Sequence, residues 1–224
     1  MIPALIFAAI AGVLVLVLWQ RYRRLARERF IRQFALPRGL YERLRKRRPE
    51  LELKDCALVA RGLRQFFLAY LNSGCRFVAM PSQAVDDLWH EFILYTRAYE
   101  AFCGQAFGGF LHHTPAVVLS PDKRNNEGLR RVWWQCCKEE NIDPRSPLRL
   151  PLLFAIDAKL GIADGFVYKP DCKALQGSET GTAHCGADFS DSSIDGGTDG
   201  FADGAADGSG DGGGCGGGCG GGGD

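Results

Sequence analysis

The stretch Ser82-Gln83-Ala84-Val85-Asp86-Asp87-Leu88-Trp89-His90-Glu91-Phe92-Ile93-Leu94-Tyr95-Thr96-Arg97-Ala98-Tyr99-Glu100-Ala101-Phe102-Cys103 decides the fold class. At about 100° per residue, Val85, Leu88, Phe92, Thr96, Tyr99 and Cys103 share one narrow sector of a helix, bordered by Trp89. That stripe is a core face. Ser82 is an N-cap residue type, Asp86 and Asp87 suit the first turn, and Gly108-Gly109 suits the exit. The spacing predicts one helix from Ser82 to about Phe107, with Cys103 as a small buried core residue.

Working outward, further helical runs are expected over about Pro37 to Arg48, Lys54 to Leu71, Pro121 to Glu140 and Leu150 to Leu160. Asn72-Ser73-Gly74 closes the second of these. The segments 76–81 and 166–168 read as extended. No alternating series of strands is present, so the fold class is mainly α. The compact helical domain is placed at 51–173. Cys136 and Cys137 follow Trp133-Trp134, and neighbouring helical residues point about 100° apart, so one thiol is expected inside and the other near the surface.

Asp86, His90 and Arg97 fall opposite the core stripe. The chain then turns at Gly108-Gly109 and delivers Phe110-Leu111-His112-His113-Thr114-Pro115, so three of the four histidines lie within 24 residues. Imidazole is a common metal ligand, and Asp86 is placed either to ligate or to accept a ligand's ring N–H. His90 with His112 or His113, plus a carboxylate, suits zinc or another divalent transition metal. The alternative is structural: His90 pairs with Asp86, and His112 or His113 caps the turn.

The two ends of the chain differ from the middle. Residues 2–19 carry no charge and span about 27 Å as a helix, close to a bilayer's hydrocarbon thickness. Nothing basic precedes them and Trp19-Gln20-Arg21 is a poor cleavage site, so the reading is a single-pass transmembrane anchor over 1–20 and not a signal peptide. Residues 21–50 form a basic juxtamembrane segment, with twelve Lys or Arg against two Glu between 21 and 48. The positive-inside rule then puts the N-terminus outside and the body in the cytoplasm at the inner (plasma) membrane, where cysteines stay reduced. This flank suits anionic lipid head groups, while nucleic acid is not expected as a partner.

Residues 174–224 hold 19 of the 29 Gly, nine acids and no Lys or Arg. Such a segment buries too little apolar surface to offset the entropy of ordering, so a disordered tail is expected. Its six Asp repeat every four residues, which fits neither the nonapeptide calcium repeat nor an EF-hand. Cys215 and Cys219 offer two thiols, and Cys172 and Cys185 form a looser pair that could join them around zinc. The overall composition excludes a wholly disordered chain. Nine Cys, an odd number in a chain of 224 residues, argue against a small disulfide scaffold. No phosphate loop, dinucleotide fingerprint or Gly-x-Ser-x-Gly elbow is present.

The run Met80-Pro81-Ser82, Val85-Asp86-Asp87-Leu88-Trp89-His90, then Tyr99, Phe102-Cys103, Phe107-Gly108 and Leu111-His112-His113, resembles the glycine-rich domain-containing protein family over roughly residues 50–120. The resemblance implies a helical module, carried in bacterial members behind a membrane anchor and before a Gly/Asp/Cys tail, with no settled enzymatic activity. Plant members carry a second His two residues beyond the Trp-His pair, where this chain has Phe92. Three functions are therefore expected in turn. The first is a membrane-tethered binding or scaffolding protein with an unknown protein partner. The second is a metal-binding, metal-dependent domain on Asp86, His90, His112 and His113. The third is a thiol or redox role for the tail.

Overall fold

The computed structural model describes residues 2–113, 127–170, 184–185 and 189, apart from the side chains of 2–5, 8, 184 and 185. Among them the protein is mainly helical: α1 Ile2–Gln33, α2 Leu40–Arg47, α3 Leu53–Asn72, α4 Gln83–Ile93, α5 Thr96–Ala106, α6 Glu127–Glu139 and α7 Leu152–Leu160. Two residues of β1, Tyr168–Lys169, pair in parallel with β2, His184–Cys185. The segment before Ser82, expected to be extended, is neither helix nor strand and pairs with no strand among the described residues. The start of the helix expected at Pro121 lies outside the described residues.

The central element is α3, which packs against α1, α2, α4, α6 and α7. Its length follows from a capping box, in which Glu52 and Asp55 bond each other's backbone N–H. Its exit follows from Gly74, whose φ of +68° turns the chain as the Asn72-Ser73-Gly74 signal implied. One face buries Phe66 and Phe67 in an aromatic cluster. Phe67 lies 4.9 Å from Phe102, 6.0 Å from Phe107 and 6.1 Å from Trp89, ring centre to ring centre. Gly62 allows α4 to approach, since a Cβ there would sit 2.9 Å from Val85 Cγ2. A second aromatic group joins α6 and α7: Trp133 and Phe154 meet edge to face at 5.1 Å, with Tyr168 and Phe189 beside them.

Three sequence expectations are corrected here. The domain does not begin at 51 or end at 173: Ile31, Leu40, Leu44 and Phe189 are all in the core. The expected basic spacer is thus part of the folded body. Its arginines meet the domain's acids, with Arg32 on Glu139 at 2.6 Å, Arg43 on Glu91, and both Arg47 and Arg48 on the buried Asp87. Arg48 also grips Asp164 with a second fork. Second, both Cys136 and Cys137 are fully buried, because α6 is covered by α3 on one side and α7 on the other. Third, Cys75 is disulfide-bonded, so not every cysteine is reduced. Among the described residues no helix is long and apolar enough to cross a membrane.

Glu140 locks the start of α7 to the end of α6. Its carboxylate accepts from Leu152 N–H at 2.6 Å, from Gln65 Nε2 at 2.9 Å and from Arg149. Burial pushes its carboxyl up, but these hydrogen bonds outweigh burial and hold it below its ordinary value. A lowered folded-state pKa stabilises the fold above the unfolded value, about 4.3, and that contribution is lost as pH falls through the folded value. Glu140→Gln is therefore expected to be less stable than wild type at pH 7, with the gap narrowing below about pH 4.3. Urea titrations across that range check this, and a gap independent of pH contradicts it.

Candidate metal centre

The expected single helix from Ser82 to Phe107 is two helices. α4 stops at Ile93, Tyr95 has φ −84° and ψ 59°, and α5 starts at Thr96. Tyr95 N–H bonds Phe92 O, tightening the last turn, and its hydroxyl donates to Arg38 O at 3.2 Å. Counting 100° per residue across this break loses its meaning. Val85, Leu88, Phe92, Tyr99 and Cys103 are buried as expected, but Thr96 is exposed. Arg97 is also exposed, and no hydrogen bond or ion pair joins it to Asp86 or His90 among the described residues.

Ser82 caps α4, its hydroxyl accepting Val85 N–H at 3.2 Å. A residue the sequence reading missed completes the cap. The buried Asp157 of α7 accepts Ser82 Oγ–H and Gln83 N–H at 2.7 Å, Ala84 N–H at 3.2 Å and Phe166 N–H at 3.0 Å. Nothing in the spacing marks it, because its partners in the cap, Ser82, Gln83 and Ala84, lie more than 70 residues earlier in the chain.

The turn after α5 depends on Gly108, whose φ of +81° is left-handed and whose missing side chain leaves room for the Arg27 guanidinium. The returning segment is tied down by a hydrogen-bond relay. Trp89 Nε1–H donates to the Tyr99 hydroxyl at 3.1 Å, and that hydroxyl donates to Leu111 O at 2.6 Å. Burial pushes the Tyr99 phenol far above its ordinary range, so it stays a donor. In an extended chain successive side chains point opposite ways, so only one of the two adjacent histidines can face α4. His113 does. His112 is exposed and rests on Phe110, ring centres 4.8 Å apart.

Asp86 therefore lies between two imidazoles. His113 Nε2 is 2.9 Å from Asp86 Oδ1, and His90 Nδ1 is 3.4 Å from Asp86 Oδ2. The His90 and His113 rings are 4.1 Å apart at 42°, and His113 also packs on Trp89 at 4.5 Å. The His90 contact, at 3.4 Å, lacks the alignment of a hydrogen bond, and Nδ1 is buried with no hydrogen-bond partner among the described residues. A buried nitrogen left this way costs roughly 1–3 kcal/mol. One ligand atom from each of Asp86, His90 and His113 lies within 4.8 Å of the others. Two ligands about 2.1 Å from a shared ion are at most about 4.2 Å apart, so small side-chain rotations suffice to gather all three.

The cysteines stand apart. The Cys103 thiol is pushed up by burial, although a hydrogen bond from the Leu111 N–H partly offsets this. The Cys137 thiol is pushed up to about 12, chiefly by burial, and Cys136 is raised as well. Raised, buried thiols are poor nucleophiles and poor metal ligands. Cys172, Cys215, Cys219 and the side chain of Cys185 lie outside the described residues.

The fold and site together define a helical-bundle domain with a two-histidine, one-carboxylate cluster. The chain belongs to the family described as UCP032817-like, whose family model matches residues 26–189, a description that assigns no activity. The match begins inside α1 and ends at Phe189, the span over which the core residues are found. No curated protein and no solved structure is significantly similar to the chain.

Proposed function

We propose that this chain is a membrane-tethered metal-binding protein whose helical domain holds a divalent transition metal ion on Asp86, His90 and His113. The observation that carries this reading is the His90 Nδ1 atom, buried, without a hydrogen bond among the described residues, and 3.4 Å from a carboxylate that already contacts a second imidazole. Two imidazoles and one carboxylate suit zinc, iron(II) or manganese, and three protein ligands leave coordination positions for water or a further ligand. Trp89, Tyr99 and Asp157 would set the positions of the ligands by packing and by the hydrogen bonds described above. Titration of cobalt(II) into the full chain tests this: ligand-field absorption bands are expected at one equivalent, and are expected to be lost in Asp86→Asn. Equal spectra from the two proteins would sink the assignment.

The tether is α1. Residues 2–19 are uncharged, and Phe7, Ile10, Val15 and Leu18 are exposed along the helix, which costs free energy in water and none in lipid. Arg21, Arg23, Arg27 and Arg29, nearest the apolar run, have no acidic partner among the described residues, so they are available to anionic head groups and direct the body to the cytoplasm. The Cys75 disulfide pulls the other way, since cytoplasmic thiols are kept reduced. Survival of the domain when intact spheroplasts meet external protease supports the cytoplasmic side. Its digestion would move the domain outside. A relationship to the glycine-rich domain-containing family rests on the helix and turn that carry Asp86, His90 and His113.

A further inference from the structure

On another side of α3 lies a cavity of about 600 Å³, bounded by the end of α1, the start and middle of α3, the end of α6 and α7. Its size is that of a small-molecule site. Leu58, Leu68, Leu150, Leu152 and Ala155 give it apolar wall, and most of the other lining residues are charged.

The acids in that wall are already engaged. Glu139 pairs with Arg32 at 2.6 Å, and Glu140 is held by Arg149, Gln65 and the Leu152 N–H. Among the described residues three cations of the wall have no counter-charge. Arg61 and Lys159 make no ion pair or hydrogen bond among the described residues. The Arg64 guanidinium donates only to the carbonyls of Ala60 at 3.2 Å and Phe34 at 3.0 Å, while its Nε is buried with no partner. Three like charges around one partly apolar space repel one another and raise the potential within it. An anion relieves the repulsion. Guanidinium groups match the oxygens of a phosphate, and the leucines match an aliphatic or aromatic body attached to it.

We propose that the cavity between α1, α3, α6 and α7 binds a phosphate monoester with an apolar body, through Arg61, Arg64 and Lys159. This proposal is independent of the metal centre, which lies on residues outside this cavity. The phosphate could come from a soluble ester or from a lipid head group, and the test separates them. The full chain in zwitterionic detergent is titrated calorimetrically with hexyl phosphate, and in nanodiscs it is mixed with vesicles containing phosphatidic acid. Wild type is expected to bind at least one probe. R61Q/K159Q is expected to weaken that binding at least tenfold, and R97Q, an exposed cation outside the cavity, is expected to leave it unchanged. Both substituted side chains are exposed, so folding is preserved, and circular dichroism confirms it. Binding to hexyl phosphate assigns a soluble ester, and binding to the vesicles alone assigns a lipid. Equal binding by wild type and R61Q/K159Q, equal loss in R97Q, or no binding to either probe overturns the proposal.

Discussion

Asp157→Ala is expected to destabilise the domain by about 3–5 kcal/mol, although Asp157 lies in α7, far in sequence from the cap it completes. Its carboxylate satisfies three backbone N–H groups and the Ser82 hydroxyl, and it is almost wholly buried. Gln83 and Ala84 belong to the first turn of α4, whose N–H groups have no partner within the helix. Removing the carboxylate strands those donors away from water and removes a negative charge from the positive end of the helix. Asp86, the proposed metal ligand, lies in that same first turn, so the variant is also expected to bind metal more weakly. Asp157→Asn, which keeps one accepting oxygen, is expected to lose less. Urea unfolding checks the order, and a loss under about 1 kcal/mol for the alanine variant would show that water replaces the carboxylate.

Phe67→Ala is expected to cost about 3–5 kcal/mol as well, by a different route. The ring sits amid Phe66, Trp89, Phe92, Phe102 and Phe107, with centre-to-centre separations from 4.9 to 6.5 Å. These neighbours come from α3, α4, α5 and the turn after α5, and they cannot all move inward together. A void therefore remains where the ring was. Leu148→Ala is the contrasting substitution, since Leu148 is 96% exposed, and it is expected to stay within about 0.5 kcal/mol of wild type. Similar losses for the two variants would contradict the packing described for α3.

The helices were largely legible because apolar spacing, Ser82, Gly74 and Gly108 act locally, and the structure places caps and turns at those residues. The break at Tyr95 was not legible. No proline or glycine marks it, and the Tyr95 hydroxyl bond to Arg38 is a tertiary contact. Arg97 lies beyond that break, exposed as expected, and has no hydrogen bond or ion pair to Asp86 or His90 among the described residues. The role of the basic flank was also hidden, because its acidic partners Glu91, Glu139 and Asp164 are distant in sequence. Asp86 and His90 are four residues apart on one helix, so their pairing could be read directly. The choice between His112 and His113 could not, since it depends on how the chain leaves Gly108.

That choice offers the sharpest test of the metal centre. The metal content of the full chain is measured by elemental mass spectrometry beside His90→Ala, His112→Ala and His113→Ala, each first shown to be folded. Close to one equivalent of zinc, iron or manganese is expected in wild type and in His112→Ala, with nearly none in His90→Ala and His113→Ala. Equal content in all four proteins, or metal in none, would contradict the account and leave Asp86 as a structural acceptor between two histidines.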